Sequence, residues 1–174
     1  MNVAIIGKVD NGRSMLASLI ANRLAFRYDK TASIKFNNAA TTIEYVVETS
    51  DGEYKIVDIN RYGRMKTMLN SYELSGAIAV VSATEGMSGQ LCEQLFRLHS
   101  NNVNSLAVFL NLCDEQNKHL IEPIVSNIRE TLETYGYSKD TPILCGSAKS
   151  AKDEDNIEQI DTLVDMLKLW NMSE

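Results

Sequence analysis

Short apolar runs rich in β-branched residues alternate along the chain with longer stretches of helical periodicity, and this alternation leaves few architectures open. Val3 to Ile6, Ala77 to Ser82, Ser105 to Leu110 and Ile143 to Cys145 read as buried strands. Ser14 to Leu24, Ser88 to His99 and His119 to Tyr135 read as helices between them, and Ile157, Ile160, Leu163, Val164 and Leu167 recur at helical spacing in a last one. Strand–helix alternation of this kind predicts an α/β fold, a doubly wound and mostly parallel sheet of about six strands with helices on both faces. Thr42 to Thr49 and Glu53 to Ile59 break the rhythm: two strand-like runs joined by Ser50-Asp51-Gly52 predict an antiparallel hairpin supplying one edge strand. Asp29 to Ala40 is polar and is the least packed segment by pattern.

At 174 residues the chain suits a single domain burying roughly 70% of its unfolded surface. Its 17 basic and 23 acidic residues give a formal charge of −6, which argues against charge-driven adhesion to nucleic acid or anionic membrane. Three cysteines, Cys92, Cys113 and Cys145, have no metal-ligand spacing and fit reduced thiols in a cytosolic setting. The N-terminal apolar run is too short for a signal or spanning segment, so the expectation is a soluble, cytoplasmic protein with no membrane partner.

Gly7-Lys8-Val9-Asp10-Asn11-Gly12-Arg13-Ser14 follows the first strand and opens the first helix. That is the setting in which G-x-x-x-x-G-K-[ST] cradles phosphate. Glycines let successive amides face inward, and the helix N-terminus adds partial positive charge. Here Arg13 stands in place of the lysine, a planar fork for a compact point charge. By itself the match also fits a chance strand–turn–helix. Further along the chain come Thr42, Asp58 at the end of an apolar strand, Asn111-Leu112-Cys113-Asp114 after another, and Gly146-Ser147-Ala148 after the last.

With those five motifs in order, the sequence resembles the GTP-binding (G) domain of the translational GTPases, elongation factor Tu above the others, from Met1 to about Ala151. The resemblance implies a single G domain over residues 1–174, without the β-barrel domains that follow it in the full factors. Independent tRNA delivery is then not expected. It implies binding of GTP or GDP with Mg²⁺. Asp10, Asn11, Gly12, Arg13 and Ser14 would face the phosphates, Asn111, Asp114, Ser147 and Ala148 the guanine, and Ser14, Thr42 and Asp58 the metal. As partners it implies translation components, the ribosome or those of an elongation factor.

The departures from the family pattern matter equally. Leu112 replaces the lysine of N-K-x-D, keeping apolar cover for a purine but not the ammonium tie. Asp58-Ile59-Asn60-Arg61-Tyr62-Gly63-Arg64 lacks both the switch glycine at its third place and the histidine that follows it in the family; the only histidines are His99 and His119. Losing the residue that orients water should leave hydrolysis slow or absent, with no catalytic residue assigned. The alternative is a nucleotide-free pseudo-GTPase scaffold that mimics an elongation factor. Arg61 and Arg64 read more simply as a solvated or partner-facing segment than as an internal arginine finger. Tyr45, Tyr54 and Tyr62 read as strand packing, Met65, Met68 and Leu69 as core, and Cys113 as a small buried residue. His99 and His119 read as structural, and Asp153-Glu154-Asp155 as a helix start.

Overall fold

The computed structural model describes residues 1–59, 65–113, 117–151 and 157–172. In chain order it comprises β1 (Asn2–Gly7), α1 (Arg13–Arg27), β2 (Ser33–Asn37), β3 (Thr42–Thr49), β4 (Gly52–Ile59), α2 (Met65–Ser71) and β5 (Gly76–Ser82). These are followed by α3 (Gly89–Ser100), β6 (Leu106–Asn111), α4 (Lys118–Thr134), β7 (Ile143–Cys145), α5 (Ala148–Ala151) and α6 (Ile157–Met172). One sheet of seven strands results, in the order β2-β3-β4-β1-β5-β6-β7. Pairings of β1 with β4 and β5, β5 with β6, and β6 with β7 are parallel; β2–β3 and β3–β4 are antiparallel.

The mostly parallel α/β fold is as expected, but the strand count is not. Ser33–Asn37, inside the polar stretch taken for a loop, is a seventh strand that pairs with β3 from Ser33↔Val46 to Asn37↔Thr42. β2 rather than the hairpin's β3 is therefore the edge of the sheet, and β3 alone runs against the other six strands.

Strand alternation divides the core into two layers. Val3 and Ile5 of β1, with Ile78 and Val80 of β5, face Leu16, Ile20 and Leu24 of α1 and Ile160, Leu163 and Leu167 of α6. Ala4, Ile6, Ala77, Ala79 and Val81 face the other way, onto Met65 and Met68 of α2, Leu91, Leu95 and Leu98 of α3, and Ile128 and Leu132 of α4. Burial on both faces is why these strands read as unbroken apolar runs. Tyr45 and Tyr54 are buried in the first layer and Met65 and Met68 in the second, as packing predicts. Tyr62, Arg61, Arg64 and Asp153 to Asp155 lie outside the described residues.

α6 is fastened to α1 by charge as well as by packing. The Arg23 guanidinium donates to both carboxylate oxygens of Asp161 at 2.6 and 2.8 Å, and Arg27 donates to Asp161 at 2.7 Å and to Asp165. These hydrogen bonds, Arg23's foremost, hold the Asp161 carboxyl below its usual value. Trp170 of α6 also closes over Gly76, where an added Cβ would lie 2.7 and 2.9 Å from the indole ring and 3.0 Å from the Ser105 carbonyl oxygen. Gly76→Ala is accordingly expected to cost about 2 kcal/mol through overpacking, read as a lowered urea midpoint with an unchanged slope. No helix among the described residues is long and apolar enough to cross a membrane.

Candidate functional site

The carboxyl ends of β1, β4, β6 and β7 converge on the loop between β1 and α1. Parallel sheets gather their strand ends in this way and leave a crevice there for a ligand. The loop turns through left-handed backbone at Asp10 (φ 71°) and Gly12 (φ 87°). The first intrahelical bond runs from the Leu16 amide to the Gly12 carbonyl at 2.9 Å, so the amides of Arg13, Ser14 and Met15 precede the helical ladder. No side chain caps α1 at Gly12. A groove of about 300 Å³ opens here, lined by Val9, Asp10, Gly12, Arg13, Ser14 and Met15.

Gly12 is required twice. Its φ suits glycine, and a Cβ there would lie 2.4 Å from the Asn111 side-chain nitrogen. Asn111, at the end of β6, is 3% exposed and joins three segments. Its Nδ2 donates to the Asn11 carbonyl at 2.9 Å, its Oδ1 accepts the Ala148 amide at 2.9 Å, and its own carbonyl accepts the Ala83 amide at 2.8 Å. One carboxamide thus holds the first loop against the turn after β7. There Ser147 is also buried, its Oγ accepting the Ser150 amide at 3.3 Å. Leu112 follows with φ 63° and stands 38% exposed at the rim. Asp114 lies outside the described residues.

The substituted loop residue is not a surface group. Arg13 is 5% exposed, its stem turned under the loop so that Cδ lies 3.4 Å from where a Gly7 Cβ would stand. Burial pulls its guanidinium below the usual value, against the opposing pull of the Asp58 and Asp10 carboxylates. Asp58, fully buried at the end of β4, accepts a 2.5 Å hydrogen bond from Ser14 Oγ through Oδ2, while its Oδ1 has no hydrogen-bond partner. Hard oxygens from Ser14 and Asp58, one of them orphaned and buried, form a donor set that suits a small divalent cation.

Thr42 is not part of that group. Asp58 is the cross-strand partner of Ile43 and shares its face of the sheet, on the α1 side; Thr42, one residue earlier, faces the α2 side. There its Oγ1 lies 2.8 Å from the Tyr72 hydroxyl, which donates to buried Glu44 at 2.5 Å and accepts from Asn37 Nδ2 at 2.8 Å. Of the three oxygens expected at the metal, the structure brings two together and places the third behind the sheet. Two-residue periodicity already assigns Thr42 and Asp58 their faces once the register is known. The register, and Tyr72 thirty residues away, carry no local signal.

Gln94 of α3 was also not legible in the sequence. Fully buried, it accepts the Gly7 amide at 3.0 Å and so anchors the start of the loop. Lys8 meets Glu85 at 2.9 Å, and Cys113 is half-exposed rather than buried, its thiol donating to the Leu110 carbonyl at 3.1 Å. His99 stacks edge-on against Tyr137 with ring centroids 5.2 Å apart, a structural role as expected.

Comparison with known families matches the same elements as a unit: the model of the elongation factor Tu GTP binding domain aligns with residues 1–171, and the chain belongs to that family of GTP-binding domains.

Proposed function

We propose that this chain binds GTP and GDP at the loop of residues 7–14 and turns the nucleotide over slowly or not at all. The observation that carries the proposal is the Asn111 carboxamide, which fixes a phosphate-type loop and a base-type turn at one spacing through Asn11 and Ala148. In this reading the amides around Asp10, Asn11, Gly12, Arg13 and Ser14 receive phosphate oxygens, and Asn111 braces the loops. Asp114, Ser147 and Ala148 meet the guanine edge.

Ser14 and Asp58 are the residues to hold Mg²⁺, since Ser14 already donates to one oxygen of a buried carboxylate whose other oxygen is unpartnered. A divalent cation bound there would neutralise charge on the phosphates. Thr42 would join them only after releasing Tyr72 and crossing to the α1 side. Arg13 lies close enough to the Asp58 and Asp10 carboxylates to feel both, which supports charge balance under the loop rather than a free reach toward a terminal phosphate. Slow turnover follows from the residues themselves. No histidine stands in the segment 59–64 just after Asp58 to orient water, and phosphoryl transfer is mostly positioning and electrostatics.

The second reading, a nucleotide-free scaffold engaging ribosome or elongation-factor partners, draws on the inward-turned Arg13 and on Leu112 at the rim. Thermal unfolding with GDP and Mg²⁺ separates the two. Nucleotide at 100 times its dissociation constant should add about 2.7 kcal/mol, hence roughly 5–10 °C for a chain of this size. An unchanged midpoint at millimolar GDP and GTP would leave the scaffold reading. Single-turnover assays on the bound GTP then report the hydrolysis rate, and a rate of the order of 1 per second would overturn the slow-turnover claim.

A further inference from the structure

β6 and β7 run parallel and end side by side, with Leu110 and Cys145 as Cα partners. Just beyond, the Cys113 amide donates to the Gly146 carbonyl at 3.1 Å and the Gly146 amide donates to the Leu110 carbonyl at 3.0 Å. Both Cys113 and Cys145 lean onto the same apolar layer, the one formed with α2, α3 and α4. Each residue is half-exposed, and the Cys113 thiol itself donates to the Leu110 carbonyl, the Cα partner of Cys145, at 3.1 Å. Two thiols on one face of neighbouring strand ends, held there by backbone bonds on both sides, are the arrangement of an attacking and a resolving cysteine.

We infer that Cys113 and Cys145 are a reversible dithiol–disulfide site for a peroxide-class oxidant, and that oxidation there weakens nucleotide binding.

The neighbouring Cys113 side chain brings the Cys145 thiol down to about 7, against the upward push of burial. Cys145 is therefore the attacking sulfur. Its thiolate attacks one peroxide oxygen, an S–O bond forms as the O–O bond breaks, and the departing oxygen takes a proton and leaves as water. Cys113 sulfur then attacks the sulfenic sulfur; the S–S bond forms, the S–O bond breaks, and the hydroxyl leaves as a second water with the Cys113 proton. Two thiols and one peroxide thus give one disulfide and two waters, and an external dithiol reverses the change.

The consequence for binding rests on the function proposed above; formation of the bond does not. A disulfide needs sulfurs about 2.05 Å apart, well inside hydrogen-bonding separation. Closing that gap draws Leu112 and its neighbours in β6 against the turn Gly146-Ser147-Ala148. Asn111 passes the displacement on to the Asn11 carbonyl.

The test uses the reduced full chain treated with stoichiometric hydrogen peroxide and read by intact mass, thiol titration and peptide mapping. The expected product is monomeric and about 2 Da lighter, with Cys92 as its only free thiol and a Cys113–Cys145 linked peptide pair. Cys113→Ser should instead trap a Cys145 sulfenic acid that a cyclic 1,3-dione captures, and Cys92→Ser should behave as the parent. Three free thiols after treatment, or linkage through Cys92 or between chains, would overturn the site. GDP titration of the two redox forms decides the effect. Oxidation should weaken binding at least tenfold and dithiothreitol should restore it, whereas equal affinities overturn the gating. If the reduced chain binds no GDP, the nucleotide reading and the gating both fall while the mass data still decide the disulfide.

Discussion

Asn111→Ala is expected to remove measurable GDP binding, a loss of at least 100-fold, and to lower the unfolding free energy by about 3 kcal/mol. The side chain is almost wholly buried and satisfies two backbone groups on different segments, the Asn11 carbonyl and the Ala148 amide. Truncation leaves both unpaired, and a buried unsatisfied polar group costs about 1–3 kcal/mol. It also unlinks the first loop from the turn after β7, and misplacement of about 1 Å in such a constellation can cost 100-fold. Asn111→Asp refines the argument: it keeps an acceptor for Ala148 but sets a second acceptor against the Asn11 carbonyl, so it should rescue little. Urea unfolding and calorimetric GDP titration check both effects. GDP affinity within threefold of the parent would show that the two loops hold their spacing without this residue.

Arg13→Met is the second large effect. The methionine retains much of the apolar stem that passes beneath Gly7 but leaves the buried Asp58 carboxylate without its neighbouring cation. Removing one member of a direct buried ion pair costs about 3–5 kcal/mol, because an uncompensated charge stays behind. Arg13 acts on Asp58 through its field and Ser14 still donates to the carboxylate, so a loss somewhat below about 3 kcal/mol is expected. Combining Arg13→Met with Asp58→Asn should recover more than half of it, and that double-mutant cycle is the measurement that assigns the coupling. Additive losses would mean that the guanidinium and the carboxylate do not stabilise one another. Arg13→Lys restores a cation on a shorter, compact head, and should lie between the parent and Arg13→Met in stability while binding GTP more tightly than the parent.

What the sequence made legible was whatever burial writes into a pattern. β1, β5 and β6 are covered on both faces and read directly as strands, and α1, α3, α4 and α6 followed from their periodicity, whereas the short α2 and α5 did not. β2 escaped because no residue in Ser33–Asn37 is fully buried: Ile34 and Phe36 alternate with polar residues over only five positions and both stand exposed, so backbone bonds to β3, not an apolar face, define the strand. Within the site, the loop of residues 7–14 was legible from its place between a strand and a helix, and the roles of Asn111 and Asp58 came with the family resemblance. Thr42 was placed by order in the chain, whereas its position depends on hairpin register and on a tyrosine just beyond α2. Arg13 was visible as a substitution, but its inward turn depends on carboxylates supplied by other segments. The nearness of Cys113 to Cys145 comes from the parallel pairing of β6 with β7, on the far side of α4 in the chain.

The order of the strands also sets a timetable for the nascent chain. β1, the first strand to leave the ribosome, occupies the middle of the sheet, and its neighbours begin at Lys55 on one flank and Gly76 on the other. Until both have emerged, the earliest-made strand has no parallel partner. Only the β2–β3–β4 meander can close from residues near one another in the chain, and non-local pairings of the parallel type form slowly. Insertion of β1 between β4 and β5 thus waits on residues made well after it, and the bracing of the loop it carries waits longer still, for Asn111 and Ala148.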